Sequence, residues 1–162
     1  MKVVFLDMDG VLNGPEGLQA AFDSGHPRES FGWWRSMTND DMIARVNRIT
    51  EATGAKIIWS STWRESFPVF KEGANFLSLI GLKAEVVDYT PMVRGGFGSS
   101  MYMPRGKEIL AWLKENDVEN YVILDDQVWV KDPDHHPHVV QTQERVGLLD
   151  EHVEEAIEIL NS

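Results

Sequence analysis

Val3-Val4-Phe5-Leu6-Asp7-Met8-Asp9-Gly10 is the stretch that decides the fold. A short run of β-branched and aromatic residues suits a strand buried on both faces. Two carboxylates and a glycine at its end mark the start of a loop. Lys56–Trp59, Ala84–Val87, Tyr121–Leu124 and His138–Gln141 read as further short apolar strands. Between them lie helical patterns. Thr38–Thr53 has Thr38 as cap, Asp40 and Asp41 in the first turn, Ile43, Val46 and Ile49 on one face, and Gly54 at the end. Phe67–Ile80 tolerates Pro68 in its first turn and closes on Gly81, with Gly73 as a weak point. Lys107–Lys114 and Asp150–Leu160 complete the set. Strands separated by helices imply right-handed crossovers and a mainly parallel sheet. The expected class is α/β, a Rossmann-like three-layer α/β/α sandwich forming one domain over 1–162. Two segments, 13–37 and 89–105, read as irregular and exceed the usual connection length, which marks them as flap and substrate-side loops.

Composition narrows the classes. Hydrophobic residues make up 43% of the 162, no run is long enough to span a bilayer, and there is no cysteine. The last point excludes disulfides and thiolate metal sites and fits a reducing cytoplasm, the expected location. The net charge of −11 disfavours nucleic-acid partners unless a local groove offsets it. A small phosphorylated substrate stays compatible, because a divalent cation can reverse the local field.

Ligands of open parallel sheets bind beyond the carboxyl ends of the strands. Here the first strand ends in Asp7 and Asp9, the fourth in Asp125 and Asp126, and the second in Ser60-Ser61-Thr62. A helix opening with Gly106-Lys107 brings an ammonium to the same edge. Each feature alone has an ordinary reading as a turn, a cap or a solvated lysine. Together they predict a site. Crowded carboxylates repel unless a cation joins them, and hard oxygen ligands select Mg²⁺.

These residues resemble the four motifs of the haloacid dehalogenase-like phosphatases, in order over residues 3 to 126. The motifs are Phe5-Leu6-Asp7-Met8-Asp9-Gly10-Val11-Leu12, Ile57-Ile58-Trp59-Ser60-Ser61-Thr62, Lys107, and Val122-Ile123-Leu124-Asp125-Asp126. The Trp63-Arg64 pair and the Gly147-Leu148-Leu149 tail are similar to the small domains of bacterial and phage RNA-repair proteins. The resemblance implies a nucleophile in Asp7 and a general acid and base in Asp9. It implies Mg²⁺ held by Asp7, Asp125 and the Asp9 carbonyl, with Asp126 acting through water or on Lys107. Ser61 would donate to the phosphoryl oxygens, Ser60 being the alternative by one residue of register, and Lys107 would neutralise developing charge.

Neither gap between motifs holds a substantial cap domain, so flap loops are expected to shape an open site. Trp33 and Trp34 are candidate base-stacking faces or flap anchors. Arg64, Arg94 and Arg105 are candidate phosphate ligands or surface ion-pair partners. The stretch Asp132–His138, with His135, His136 and His138, reads as a solvated connector rather than a zinc site. The expected activity is a Mg²⁺-dependent phosphomonoesterase acting on a nucleotide or other small phosphorylated metabolite. The alternatives are a 3′-end phosphatase of nucleic-acid repair and a non-catalytic module retaining the fold.

Overall fold

The computed structural model describes residues 1–92, 105–127 and 134–162. The helices are α1 (Gly17–Asp23), α2 (Phe31–Ser36), α3 (Asp40–Thr53), α4 (Phe70–Leu79), α5 (Arg105–Glu115) and α6 (Asp150–Asn161). The strands are β1 (Lys2–Leu6), β2 (Lys56–Trp59), β3 (Val86–Tyr89), β4 (Asn120–Asp125) and β5 (Val139–Gln141). They form one parallel sheet in the order β3-β2-β1-β4-β5. The chain therefore builds outward from β1 on one side, then returns to β1's other edge with β4. That reversal opens a crevice at the carboxyl end of β1.

Alternation along the strands gives the sheet two apolar faces. Val4 and Leu6 point, with Ile57, Trp59, Val122 and Leu124, into the larger cluster, which also takes Ile43, Val46 and Ile49 of α3 and Val153, Ala156 and Leu160 of α6. Val3 and Phe5 point the other way, onto Ile109 and Trp112 of α5. Helices thus cover both faces. Each of these fully buried large side chains contributes about 1.5–3 kcal/mol of transfer free energy.

Several boundaries differ from the sequence reading; α4 begins at Phe70, so Pro68 precedes it instead of lying in its first turn, and α5 begins two residues early, at Arg105. The 13–37 segment contains α1 and α2 rather than irregular chain. Ser30 caps α2 by accepting from the Trp33 amide at 3.3 Å, and buried Ala21 and Trp33 anchor the pair. Its Gly, Pro and Ser content hid two short helices joined through Gly25, at φ +72°. The cap of α3 is Asn39, which accepts from the amides of Asp41 and Met42 at 2.9 and 3.1 Å, while Thr38 donates to Arg35's carbonyl at the end of α2. β3 lies two residues later than expected, with a register irregularity opposite Ile57 and Ile58.

Gly73 in α4 is a packing requirement. A Cβ there would collide with the Tyr89 hydroxyl and meet the Trp59 ring at 2.9 Å, so glycine lets α4 approach the sheet closely. His135 is fully buried, not solvated. Its Nε2 faces the Gly106 carbonyl at 2.7 Å and its Nδ1 the Tyr121 hydroxyl at 3.1 Å. A carbonyl only accepts, so Nε2 carries a proton. No helix among the described residues is long and apolar enough to cross a membrane.

Candidate active site

Register brings the site together. Leu6 pairs with Trp59 on one side and Leu124 on the other, so Asp7, Ser60 and Asp125 leave the sheet side by side. The ladder continues past the strand ends: the Asp7 amide donates to Leu124 at 3.1 Å and the Ser60 amide to Leu6 at 2.8 Å. Thr142, beyond β5, donates its amide to the Asp125 carbonyl and its hydroxyl to the Gly10 carbonyl at 2.6 Å, tying the loops after β1 and β4. Gly10 has φ +75°, and a Cβ on it would lie 2.6 Å from the Asp126 carboxylate. Only glycine permits both the turn and that approach.

Asp7, Asp125 and Asp126 each place a carboxylate oxygen within 4.8 Å of the others. Burial, then the Asp125 charge, push the Asp7 pKa up to about 7, against the lowering pull of Arg105. Burial and Asp7 push Asp126 up to about 6. The Arg105 guanidinium bridges Asp7 Oδ1 at 3.1 Å and Asp125 Oδ2 at 3.0 Å, and also donates to the Ser60 carbonyl. Three carboxylates against one guanidinium leave a formal charge of −2. Asp126 Oδ1 is buried without a hydrogen-bond partner among the described residues. Residual charge, an orphaned buried oxygen and an all-oxygen donor set fit a small divalent cation such as Mg²⁺.

Arg105, not Lys107, occupies the place beside the nucleophile candidate. Arg105, Glu108, Ile109 and Trp112 share the inward face of α5 at helical spacing, whereas Lys107, two residues round the helix, is exposed. Ser61 is the hydroxyl at Asp7, to which it hydrogen-bonds. Ser60 Oγ instead accepts from Thr90 at 3.4 Å.

Asp9 stands apart from the carboxylate trio. Its Oδ2 accepts from the Trp63 indole Nε1–H and its Oδ1 from Asn13 Nδ2, both at 2.9 Å. Asn13 Oδ1 in turn accepts from the Gly10 amide at 3.0 Å, which fixes the amide's orientation. The Asp9 carbonyl accepts no hydrogen bond among the described residues. Asn13 and Thr142 carry no expectation from the sequence, and Trp63 enters it only as a mark of resemblance, with no role attached. The signal for Asn13 was its place four residues after Asp9 in a turn, and for Trp63 its place directly after the second motif.

Arg64 does not face the cleft. It is buried against Glu108, 2.8 Å away, and donates to the Thr90 carbonyl at 3.1 Å. It locks the end of β2 to the first turn of α5. Trp33 and Trp63 are buried, and Trp34 is half-buried, its ring centroid 4.8 Å from Trp33 and 4.7 Å from Trp63. The pair therefore anchors the flap, with one partly open ring. Arg94 lies outside the described residues. Beside Asp9 runs an open cleft of about 730 Å³. Asp9, Asn13, Trp34, Trp63, Asp126 and Arg145 are among the residues that line it.

No curated protein and no solved structure matches the chain. One family model does, over residues 3–153, covering all four motifs, the tryptophan that holds Asp9 and the threonine that ties the loops. By that match the chain belongs to the family described as the HAD domain in Swiss Army Knife RNA repair proteins.

Proposed function

We propose that this chain is a Mg²⁺-dependent phosphomonoesterase that works through a phosphoryl-aspartate on Asp7. The observation that carries the reading is the trio Asp7, Asp125 and Asp126 within 4.8 Å, with Arg105 bridging two of its members. Asp7, Asp125 and Asp126, with the Asp9 carbonyl, would hold the cation. When bound, Mg²⁺ keeps Asp7 ionised and offsets the charge of the phosphoryl oxygens.

The chain's own groups supply the rest. An Asp7 carboxylate oxygen bonds to phosphorus as the bond from phosphorus to the leaving oxygen breaks, and Asp9 gives that oxygen a proton. Water then attacks phosphorus, Asp9 takes its proton, and the bond between phosphorus and Asp7 breaks to release inorganic phosphate. Ser61 donates to the phosphoryl oxygens. Arg105 stabilises charge where the resemblance had placed Lys107.

The substrate class that fits best is a nucleotide or another small phosphorylated metabolite, given an open cleft in the size range of small-molecule sites. A second reading, a 3′-end phosphatase of RNA repair, is favoured by the family description and opposed by the net charge of −11. Turnover of nucleotides, sugar phosphates and 3′-phosphorylated oligonucleotides with Mg²⁺ separates them. A polynucleotide enzyme loses affinity steeply with salt and a nucleotide enzyme only modestly. No turnover of any member of that panel removes the phosphatase reading.

A further inference from the structure

The cleft beside Asp9 is asymmetric, and the asymmetry names a leaving group. Asp9 opens onto it, held there by Trp63 and Asn13, and in the phosphatase reading on which this inference rests Asp9 protonates the leaving oxygen. The cleft therefore receives the part of the substrate that departs. Arg105 and Asp7 are not among its lining residues, so in this reading the transferred phosphoryl group lies at the carboxylate trio and the leaving group in the cleft.

Two features of the lining select chemistry. Trp34 is half-buried and rests on the buried rings of Trp33 and Trp63, so it presents an apolar aromatic surface that cannot retreat. Such a surface suits a flat π-system. The second feature is charge. Asp9, Asp126 and Glu144 line the cleft, so an anionic leaving group is held there only where a cation offsets them. Arg145 is the one cation among the described lining residues. It is exposed and makes no ion pair among the described residues. Its backbone packs near Gly14, beside the Asn13 that holds Asp9, so Arg145 is carried on a loop that borders the same cleft as the acid.

We propose that this cleft takes a nucleoside bearing a second phosphate, its base against Trp34 and its second phosphate on Arg145. Arg145 is a specificity-determining residue, since a guanidinium binds phosphate by paired hydrogen bonds and is wasted on an uncharged leaving group. A free nucleoside bisphosphate and the terminal nucleotide of a 3′-phosphorylated oligonucleotide both present this chemistry.

Calorimetric binding to Asp7→Asn in the presence of Mg²⁺ tests the proposal without turnover. The ligands are glycerol phosphate, a nucleoside 3′-monophosphate, the corresponding 3′,5′-bisphosphate and a dinucleotide ending in a 3′-phosphate. The nucleoside monophosphate should bind about tenfold tighter than glycerol phosphate, and the bisphosphate about tenfold tighter again. Arg145→Gln in the same background should bring the bisphosphate within about twofold of the monophosphate. Comparing the dinucleotide with the bisphosphate tells the two sources apart. Equal binding of mono- and bisphosphate, or a preference that survives Arg145→Gln, overturns the proposal. Wild-type turnover of 4-nitrophenyl phosphate is followed separately, so that loss of the phosphatase reading is not mistaken for loss of this one.

Discussion

Replacing Arg105 with methionine, and Lys107 with methionine in parallel, separates the two cations that the chain offers to its nucleophile. Arg105 Nη1 lies 3.1 Å from Asp7 and 3.0 Å from Asp125. At an effective dielectric of about 20, each contact amounts to about 5 kcal/mol of Coulomb attraction. Stability will not fall by that sum. The Asp7 pKa already stands at about 7, so losing Arg105 raises it further and the carboxyl takes up a proton at small cost. A net loss of about 1–3 kcal/mol follows, roughly 3 °C in Tm per kcal/mol for a chain of this length. Catalysis has no such escape, because a protonated Asp7 cannot attack phosphorus. We expect kcat for 4-nitrophenyl phosphate at pH 7 to drop about 10²–10³-fold in Arg105→Met, the scale of losing one preorganised charge stabiliser. Lys107→Met, changing an exposed side chain, should stay within about twofold. Steady-state kinetics and thermal melts on both variants decide it. A larger loss of kcat in Lys107→Met than in Arg105→Met refutes the reasoning.

Other consequences are open to measurement. Glu108→Gln strands the Arg64 charge, 2.8 Å away and buried, and should cost about 3–5 kcal/mol in denaturant unfolding, whereas an exposed pair such as Arg48–Glu154 should cost under about 1 kcal/mol. Trp63→Phe keeps an aromatic ring but loses the indole N–H to Asp9 and some buried volume, and should lower kcat about tenfold with KM little changed and Tm modestly reduced; an unaltered kcat removes Trp63 as a positioning residue. The metal-free protein should lose stability as pH rises from about 4 to about 7. Folded Asp7 and Asp126, with pKa values raised to about 7 and about 6, hold protons there that the unfolded chain has released. In Asp7→Asn that decline should be shallower, and an identical slope in urea titrations across this window would show that Asp7 titrates normally.

Much of this was legible in the sequence because strand ends in a parallel sheet are set by short apolar runs, and the residue after each run must lie at one edge. Asp7 and Asp125 follow from that rule alone, since Leu6 and Leu124 are register partners. What failed were choices set by rotation and packing. Two residues along a helix exchange Lys107 for Arg105. Arg64 is neither a phosphate ligand nor a surface ion-pair partner, the two sequence alternatives, because its buried partner Glu108 comes from an element 44 residues away. The same holds for His135, whose burial depends on Tyr121 and Gly106. Helices α1 and α2 were hidden by their glycines and by their shortness, since each is stabilised by tertiary contacts and only weakly by propensity.

The central claim is that Asp7 becomes phosphorylated. Wild type and Asp7→Asn would be mixed with 4-nitrophenyl phosphate and Mg²⁺, quenched in acid within a turnover, and digested for mass spectrometry. The account predicts a phosphoryl adduct on the peptide carrying Asp7 in the wild type, absent without Mg²⁺ and absent from Asp7→Asn, which should also release no nitrophenol. Full turnover by Asp7→Asn, with no adduct on that peptide in either protein, would contradict it.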